Sequence, residues 1–389
     1  MGRFTIIRQW LPVLGLTLSA FVFNTSEFIP IGLLTDIAGD FNVGEAQAGM
    51  LISVYAWIVA LMSLPLMMLV SKMEYRKLLL GTTLLFMASQ LFSAVAENYS
   101  VLMVSRIGVA CAHSVFWGIA SPLAVRTAPE GKSSAALGMI VTGTSIAMIV
   151  GLPLGRVIGL YMNWRMTFVC IALSALLILL LLAAVFPKIP NTHPMTLHKL
   201  PSLFRNKALT AIFLFTLLTA TAHYTAYSYI EPFLGRMAGL GEDLITGVLV
   251  VIGLSGIAGS VLFTRGFSRS PRRFFCFTSG GMAVSLLLLR PSTSFAATVM
   301  LLCFFWGIAY TVFNLMLQFE IIRFAPQATT IAMAIYSGIF NLGIGCGTMV
   351  GGIVCSSLSI AYIGYVGGII GILAWRYCSI KMLQILLGN

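Results

Sequence analysis

Twelve apolar segments, each long enough to cross a lipid bilayer, follow one another along this chain of 389 residues. A transmembrane helix needs about 20 mostly apolar residues, and a helix satisfies its own backbone hydrogen bonds where water is absent. Charged residues make up 9% of the chain, whereas a soluble protein contains roughly 25%. The sequence therefore predicts an all-α membrane protein. The expected transmembrane helices lie near residues 11–36, 45–70, 77–97, 100–124, 133–160, 164–187, 207–231, 243–265, 273–290, 296–320, 328–355 and 358–379.

Basic residues give these helices an orientation. If the N-terminus is cytoplasmic, 18 of the 23 lysines and arginines fall at or near the cytoplasmic ends of the helices. Lysine and arginine concentrate in cytoplasmic loops, so we expect both termini in the cytoplasm. Contact with the anionic lipid of the inner leaflet accounts for the net charge of +12, and no nucleic-acid partner is required.

Sequence motifs for enzymatic or metal chemistry are absent from the chain. The seven cysteines contain no CxxC pair, and neither an HExxH zinc motif nor a GxSxG nucleophile turn occurs. We therefore expect a protein that is not an enzyme and that holds neither a metal ion nor an organic cofactor.

The chain contains an internal repeat of six helices. A shift of 197 residues places HSVFW (113–117) on YTVFN (310–314) and RTAPE (126–130) on RFAPQ (323–327). A weaker match at a shift of 200 relates DIAGDF to RMAGLG. The predicted organisation is an N-terminal six-helix bundle at 1–186, a cytoplasmic linker at 187–206 and a C-terminal six-helix bundle at 207–389.

Two six-helix halves with the same up-and-down order resemble the major facilitator superfamily, whose members bind substrate between the halves near the membrane midplane. This resemblance implies a transporter that works by alternating access. The string TGTSIAMIVGLPLG contains Gly143, Gly151, Pro153 and Gly155 and resembles the antiporter motif of the drug:proton antiporter branch. In that branch the motif is associated with export, so we expect an exporter. Arg156 stands where the branch often has a further glycine.

The glycines of this motif also have a physical interpretation. Small residues on one face let a neighbouring helix approach closely, and Pro153 removes one backbone hydrogen bond. Helix eleven contains a second glycine-rich string, GIFNLGIGCGTMVGG (338–352). We predict that both helices make close contacts and bend at the interface between the halves. Ordinary helix packing without a gating role is the alternative.

Glu27 is the one carboxylate that the sequence places well inside a predicted span. Charged groups at mid-membrane are costly and usually functional, so we predict that Glu27 carries a coupling proton. The alternative is that Glu27 pairs with a neighbour and fixes the first helix. Arg106 and His113 lie seven residues apart on helix four, with Trp117 one turn beyond. We expect Arg106 and His113 to assist proton coupling, although a packed structural histidine fits the same pattern.

Polar residues of the second half favour a neutral substrate. His223, Tyr227 and Glu231 recur at intervals of four on helix seven, so one helical stripe is predicted to carry all three. A structural polar seam, or a rim position for Glu231, is the alternative. Amide, phenol, imidazole and indole groups suit a hydroxyl-rich neutral solute, although a single glutamate could still bind a cation. The predicted substrate-binding residues are Asn24, Trp117, His223, Tyr227, Glu231, Asn314, Tyr336 and Asn341.

Four long strings narrow the resemblance. FNTSEFIPIGLLTDIA, YAWIVALMSLPLM, AHYTAYSYIEPF and YSGIFNLGIGCGTMVGG look similar to bacterial sugar-efflux transporters of the antiporter branch. This implies export of arabinose, thiogalactosides or similar sugars across the bacterial inner membrane, with the proton as coupling ion and no other cofactor. We expect a monomer. Arg106 matches the arginine motif of helix four, and Arg76 and Lys77 match the basic pair of the superfamily's loop between helices two and three. Lys72 stands where that loop usually has an aspartate.

Other functions stay open at this point. A multidrug/proton antiporter for lipophilic or cationic compounds would use the same fold and the same Glu27. The motif in helix five disfavours a sugar importer, and the two-fold repeat disfavours a passive channel. A membrane-embedded enzyme would need a catalytic cluster that the sequence does not display.

Overall fold

The computed structural model describes residues 3–70, 72–190, 200–326 and 329–387. Within these ranges the chain forms helices and connecting turns and no β-strand. Eleven helices in the described ranges are long and apolar enough to cross a membrane. The predicted all-α membrane class is therefore confirmed.

Most predicted segments correspond to a single helix, and several are divided. The helices of the first half are α1 (Arg3–Gly32), α2 (Leu34–Asp40), α3 (Glu45–Leu69), α4 (Tyr75–Ala94), α5 (Tyr99–Thr127), α6 (Ser133–Ile146), α7 (Leu152–Met162) and α8 (Trp164–Val185). Those of the second half are α9 (Leu200–Arg205), α10 (Lys207–Tyr227), α11 (Ile230–Met237), α12 (Glu242–Gly266), α13 (Pro271–Leu288), α14 (Ala296–Phe324), α15 (Thr329–Ser357), α16 (Ile363–Tyr377) and α17 (Leu383–Leu387).

Helix α13 is the one predicted span that falls outside the eleven. Arg272 and Arg273 lie in its first turn and keep its mean hydropathy below that of the others. It nevertheless packs as a bundle helix, because it contacts α14 and α16 and buries Phe275, Met282 and Leu286. With α13 included, the described ranges contain the twelve predicted helices.

Contacts divide the chain into two units. The first unit comprises the chain to Gly32 and from Leu61 into the linker, and the second comprises Leu33–Ala60 and the chain beyond the linker. Helix α3 contributes to both units, because the division falls within that helix. The predicted linker at 187–206 includes residues 191–199, which lie outside the described ranges, and the six-plus-six organisation stays a prediction.

Helix α1 is central to the first unit, where it contacts α5, α6, α7 and α8. Its buried residue Phe23 stacks on Phe86 of α4 and Phe116 of α5, with ring centroids 3.9 and 4.3 Å apart. Aromatic pairs contribute roughly 0.5–1.5 kcal/mol beyond the burial of their area. This aromatic stack holds α1, α4 and α5 together beside the polar residues of the first unit.

The glycines of the helix-five motif pack against α1. A Cβ atom at Gly143 would lie 2.6 Å from the backbone oxygen of Thr17, and one at Gly151 or Gly155 would collide with side chains of α1. These contacts lie inside the first unit. The contact that the sequence predicts for this motif at the interface between the halves stays a prediction, because glycine spacing identifies a face for close approach and not the helix that approaches it.

The motif also interrupts the regular α-helix. A π-helical turn from Ala147 to Gly151 links α6 to α7, and Pro153 lies in the first turn of α7. Proline has no N–H to donate to the carbonyl four residues earlier, and a local π-helical turn is one way in which membrane helices satisfy the freed groups. Helix five is thus irregular at this turn, and the bend that the sequence predicts for it stays a prediction.

In the second unit, α15 packs closely against α10 through a second set of glycines. Gly343, Gly347 and Gly351 recur every four residues and approach the backbone or small side chains of α10. A Cβ atom at Gly343 would lie 2.6 Å from the Cβ atom of Ala220. The close contact predicted for helix eleven is thus made, on this face, with a helix of its own unit.

Two predicted helices are interrupted near one end. The span at 11–36 is broken at Leu33, between α1 and α2, and the span at 207–231 is broken at Ser228 and Tyr229, between α10 and α11. Both segments are mostly apolar, so their mean hydropathy predicts each as one continuous span.

The second break changes the predicted stripe of helix seven. Pro232 contributes to it, because this residue has no N–H for the carbonyl four positions earlier. His223 and Tyr227 remain on one helix, whereas Glu231 lies in the first turn of α11. The prediction of one continuous helical stripe through all three residues is therefore wrong.

Candidate functional site

The first polar cluster lies in the first unit, on α1, α4 and α5. Glu27 of α1 is 8% exposed, and its Oε2 atom lies 3.7 Å from Nε2 of His113 on α5. At this separation the two side chains form an ion pair whenever the imidazole is protonated and the carboxyl is ionised. The structure thus brings together two of the three residues predicted to couple protons.

Arg106, the third predicted coupling residue, is buried in the same cluster. Its Nη1 atom donates to the backbone oxygen of Ser26 at 3.1 Å and lies 3.4 Å from the hydroxyl of that residue. The amide of Gln90 on α4 also donates to the Ser26 hydroxyl. Arg106 is therefore tied to the residue next to Glu27, and its positive charge is close enough to act on the carboxyl of Glu27 and the ring of His113.

Two predicted substrate-binding residues border this cluster. Trp117 is half-buried, with its ring centroid 5.9 Å from that of His113 and 5.3 Å from that of Phe116. Asn24 is also half-buried, and its amide donates to the backbone oxygen of Thr144 on α6 at 3.4 Å. Trp117 therefore extends the cluster toward a partly open surface, while Asn24 joins α1 to α6.

The second cluster lies in the second unit, where aromatic rings surround His223 of α10. The imidazole stacks on Tyr310 of α14 at 4.0 Å and on Tyr227 at 4.9 Å between ring centroids. Trp306 of α14 and Tyr224 meet it edge-on at 5.2 and 4.8 Å. Only 2% of His223 is exposed, so these rings enclose it almost completely.

Several polar atoms inside this second cluster have no hydrogen-bond partner among the described residues. They are both ring nitrogens of His223, the hydroxyl of Thr219 one turn earlier and the indole nitrogen of Trp306. A buried polar group without a partner costs about 1–3 kcal/mol, so such groups in a folded protein call for an explanation. A solute hydroxyl, or a proton in the case of the imidazole, would satisfy them.

The other predicted residues of the second half form a neighbouring network. Tyr336 of α15 donates from its hydroxyl to Oδ1 of Asn314 at 3.1 Å, and the amide of Asn314 donates to the backbone oxygen of Tyr310 at 3.0 Å. Asn341 donates to the backbone oxygen of Ser337 at 3.0 Å. Its own Oδ1 atom is buried and has no partner within the part of the chain that the structure describes. Tyr336 and Asn314 are thus linked to the His223 cluster through Tyr310.

Glu231 lies apart from these rings. Its Oε2 atom accepts hydrogen bonds from the backbone nitrogen of Thr35 at 3.2 Å and from the Thr35 hydroxyl at 2.8 Å. The carboxylate is buried, at 4% exposure. Its predicted role in substrate binding stays a prediction, since the break before α11 gives it neighbours of its own.

The basic pair of the loop between helices two and three has a structural contact. Arg76 donates to the backbone oxygen of Ala183, near the end of α8, while Lys77 is exposed. The guanidinium of Arg126 lies 5.0 Å from the centre of the Tyr75 ring in the same region. Arg76 therefore joins the start of α4 to α8 inside the first unit.

Four residues of the clusters are not predicted from the sequence: Gln90, Tyr224, Trp306 and Tyr310. A signal was available for Tyr310, because the shift of 197 residues places it on His113. Gln90 is one of several polar residues in an apolar span, which is a weaker signal. Nothing in the sequence distinguishes Trp306 from a lipid-facing tryptophan. No group of three or more His, Cys, Asp or Glu residues suited to a metal ion occurs in the described ranges.

Two comparisons with known proteins bear on this geometry. A family model described as the Major Facilitator Superfamily matches residues 16–330. The chain is also similar to the crystal structure of a bacterial homologue of the human lysosomal transporter Spinster, in an inward-facing and unoccupied conformation. That similarity has a TM-score of 0.69 at 16% sequence identity and covers 98% of this chain and 93% of the other. At this identity the likeness supports the fold.

Proposed function

The chain belongs to the major facilitator superfamily, and from this premise we propose that it exports sugars or sugar analogues across the bacterial inner membrane in exchange for protons. Membership makes it a membrane transporter. The direction, the coupling ion and the class of solute are the parts that we propose.

The observation that carries the coupling proposal is the buried pair of Glu27 and His113, 3.7 Å apart beside Arg106. A carboxyl group inside a transmembrane bundle is costly to keep charged, and such groups mark proton pathways in transporters. In the proposed cycle Glu27 takes up a proton from one side and releases it to the other. Arg106 cannot usefully lose its own proton, so it serves as a fixed charge that tunes the pair.

The second cluster supports a neutral, hydroxyl-rich solute. It presents phenol, imidazole, indole and amide groups, and the described residues in ring contact with His223 include no carboxylate. Hydroxyl groups pair with such donors and acceptors, while the apolar face of a sugar ring packs on an aromatic ring. We propose His223, Tyr227 and Tyr310 as contacts of the solute, with Asn314 and Tyr336 beside them. Asn24, Trp117 and Asn341 stay predicted contacts.

A multidrug exporter is the second candidate function. The observation in its favour is the density of aromatic rings around His223, since aromatic faces attract organic cations. The buried carboxyl of Glu27 would then act as counter-ion. The two candidates differ in which solutes compete.

The test is transport by everted membrane vesicles that contain the protein and are made acidic inside. Labelled arabinose should accumulate, and a protonophore should abolish the accumulation. Vesicles from cells without the protein provide the control. Accumulation of a cationic dye without accumulation of arabinose would reject the sugar proposal in favour of the multidrug one. Accumulation of arabinose that a protonophore does not affect would reject proton coupling.

A further inference from the structure

Residues 244–389 are strongly basic. They contain one acidic side chain, that of Glu320, which is 1% exposed and pairs with Arg323. Their basic residues are Arg265, Arg269, Arg272, Arg273, Arg290, Arg323, Arg376 and Lys381. No exposed carboxylate side chain of this stretch therefore offsets the charge of the others.

Two packed helices bring some of these basic residues together. Helix α13 packs against α16, and Sγ of Cys276 on α13 lies 3.8 Å from Oγ of Ser379, just after α16. Arg272 precedes Cys276 by four residues and therefore lies on the same face of α13. Arg376 precedes Ser379 by three residues. At 1.5 Å per residue, the two arginines lie within roughly 10 Å of each other along the helix axes.

A π-helical turn at the end of α16 affects the position of a further basic residue. The turn runs from Cys378 to Met382, and the N–H of Leu383 donates to the backbone oxygen of Cys378, five residues earlier. Such a turn winds the chain less per residue than an α-helix. A regular α-helix would place Arg376 and Lys381 about 140° apart around the axis, and the π-helical turn brings Lys381 closer to the side of Arg376.

Four basic residues thus share one end of α13 and α16 and are termed the basic quartet: Arg272, Arg273, Arg376 and Lys381. All four are exposed, and no carboxylate of the described residues pairs with them. At a shift of 196, Arg272 aligns with Arg76 of the first half, which donates inward to the backbone oxygen of Ala183. The first half therefore uses its arginine to join helices, whereas the second half leaves its charges exposed.

Exposed apolar side chains adjoin the basic quartet on both helices. On α13, Phe277 follows Arg273 by four residues and is 60% exposed. On α16, Leu373 precedes Arg376 by three residues and is 55% exposed. The exposed apolar residues farther along these helices are Val284, Leu288, Ile369 and Ile372. Each helix therefore presents apolar surface directly beside its basic end.

Trp375 lies at the boundary between the charges and the apolar surface. It is 40% exposed and precedes Arg376 in the chain. A Cβ atom at Gly280 would lie 3.3 Å from its indole nitrogen, so the indole also contacts α13. Tryptophan is enriched where lipid headgroups meet hydrocarbon. The order of basic group, indole and apolar surface matches the order of a phospholipid from headgroup to acyl chain.

We infer that the basic quartet binds the headgroup of an anionic phospholipid, whose acyl chains lie along the exposed apolar side chains of α13 and α16. Guanidinium groups pair with phosphate oxygens through two parallel hydrogen bonds, and anionic headgroups attract basic residues at the membrane surface. A soluble anion would match the charges but not the apolar surface beside them. The inference concerns the second unit alone and does not depend on the transported solute or on the coupling proton.

The experiment uses the full chain in vesicles of phosphatidylcholine that contain a rising fraction of phosphatidylglycerol with brominated acyl chains. Bromine quenches tryptophan fluorescence on contact, and the variant Trp375→Phe identifies the part of the signal that comes from Trp375. The parent protein should prefer phosphatidylglycerol to phosphatidylcholine at this position. Arg272→Gln combined with Arg376→Gln should lower the preference about 25-fold, because each basic residue near an anionic surface strengthens binding about 5-fold.

Two double variants serve as controls. Lys132→Gln with Lys188→Gln removes the same charge from exposed positions of the first unit and should leave the preference unchanged. Arg272→Lys with Arg376→Lys keeps the charge and should retain most of the preference, which separates loss of charge from loss of folding. Inorganic phosphate at constant ionic strength should have no effect.

Three results would overturn the inference. Equal quenching of Trp375 by the two lipids in the parent protein would show that no selective site exists. An equal loss of preference in the control pair of the first unit would show a diffuse effect of net charge. Loss of the preference on addition of inorganic phosphate would assign the basic quartet to a soluble anion.

Discussion

Replacement of Gly143 by alanine tests whether the helix-five glycines serve the packing of α6 on α1. A new Cβ atom would lie 2.6 Å from the backbone oxygen of Thr17, whereas relaxed carbon–oxygen contacts lie at about 3.3–3.6 Å. A backbone atom cannot swing aside as a side-chain end can, so α6 must move by roughly 0.7 Å to restore contact at about 3.3 Å. Overpacking of this kind costs about 1–3 kcal/mol.

Gly138 provides a matched control on the same helix. A Cβ atom at Gly138 meets nothing within 4 Å, and alanine stabilises a helix interior by roughly 0.5–1 kcal/mol relative to glycine. Both substitutions gain this helix contribution, so the two variants should differ in stability by the overpacking cost alone, about 1–3 kcal/mol. The assay is thermal unfolding of the purified protein in detergent, with Gly143→Ala below the parent and Gly138→Ala at or above it. Equal unfolding midpoints for the two variants would refute the argument from packing.

Two further predictions concern the second cluster. His223→Phe should raise the unfolding midpoint, because it removes two buried nitrogens that lack partners among the described residues and retains the stacking on Tyr310. The same variant should lower arabinose uptake. Higher stability with unchanged uptake would remove His223 from the solute site. Tyr336→Phe deletes the hydrogen bond to Asn314 and should lower the free energy of unfolding by about 0.5–1.5 kcal/mol. The KM of arabinose uptake should increase. An unchanged KM would place Tyr336 outside the site.

The sequence predicts the number of helices and most of their bounds, because apolar length is a direct requirement of the bilayer. Hydropathy does not predict the breaks at Leu33 and Ser228, because each lies within a segment that is apolar on average. Pro232 was a visible signal for the second break. Pro30 and Gly32, just before Leu33, are the comparable signal for the first break, because both residue types weaken a helix.

The candidate site was predictable in part. The sequence predicts a role for Glu27 because a carboxylate inside a span is rare. Its contact with His113 depends on the three-dimensional arrangement of α1 and α5. Helical periodicity predicts that Glu231 shares one helix face with His223 and Tyr227. That inference is valid only for a continuous helix, and the chain is broken between Tyr227 and Ile230. Tyr310 was accessible through its alignment with His113, but the stacking of that ring on His223 depends on the packing of α14 against α10.

The central claim is that Glu27 couples the solute to protons. The most direct measurement follows two quantities in everted vesicles: accumulation of labelled arabinose driven by an acidic interior, and exchange of labelled for unlabelled arabinose at equal pH on both sides. Glu27→Gln should lose the accumulation and retain the exchange, because the solute site persists while the proton site is gone. Glu97→Gln, the same substitution at an exposed position, should retain both. Full proton-driven accumulation by Glu27→Gln would contradict the account.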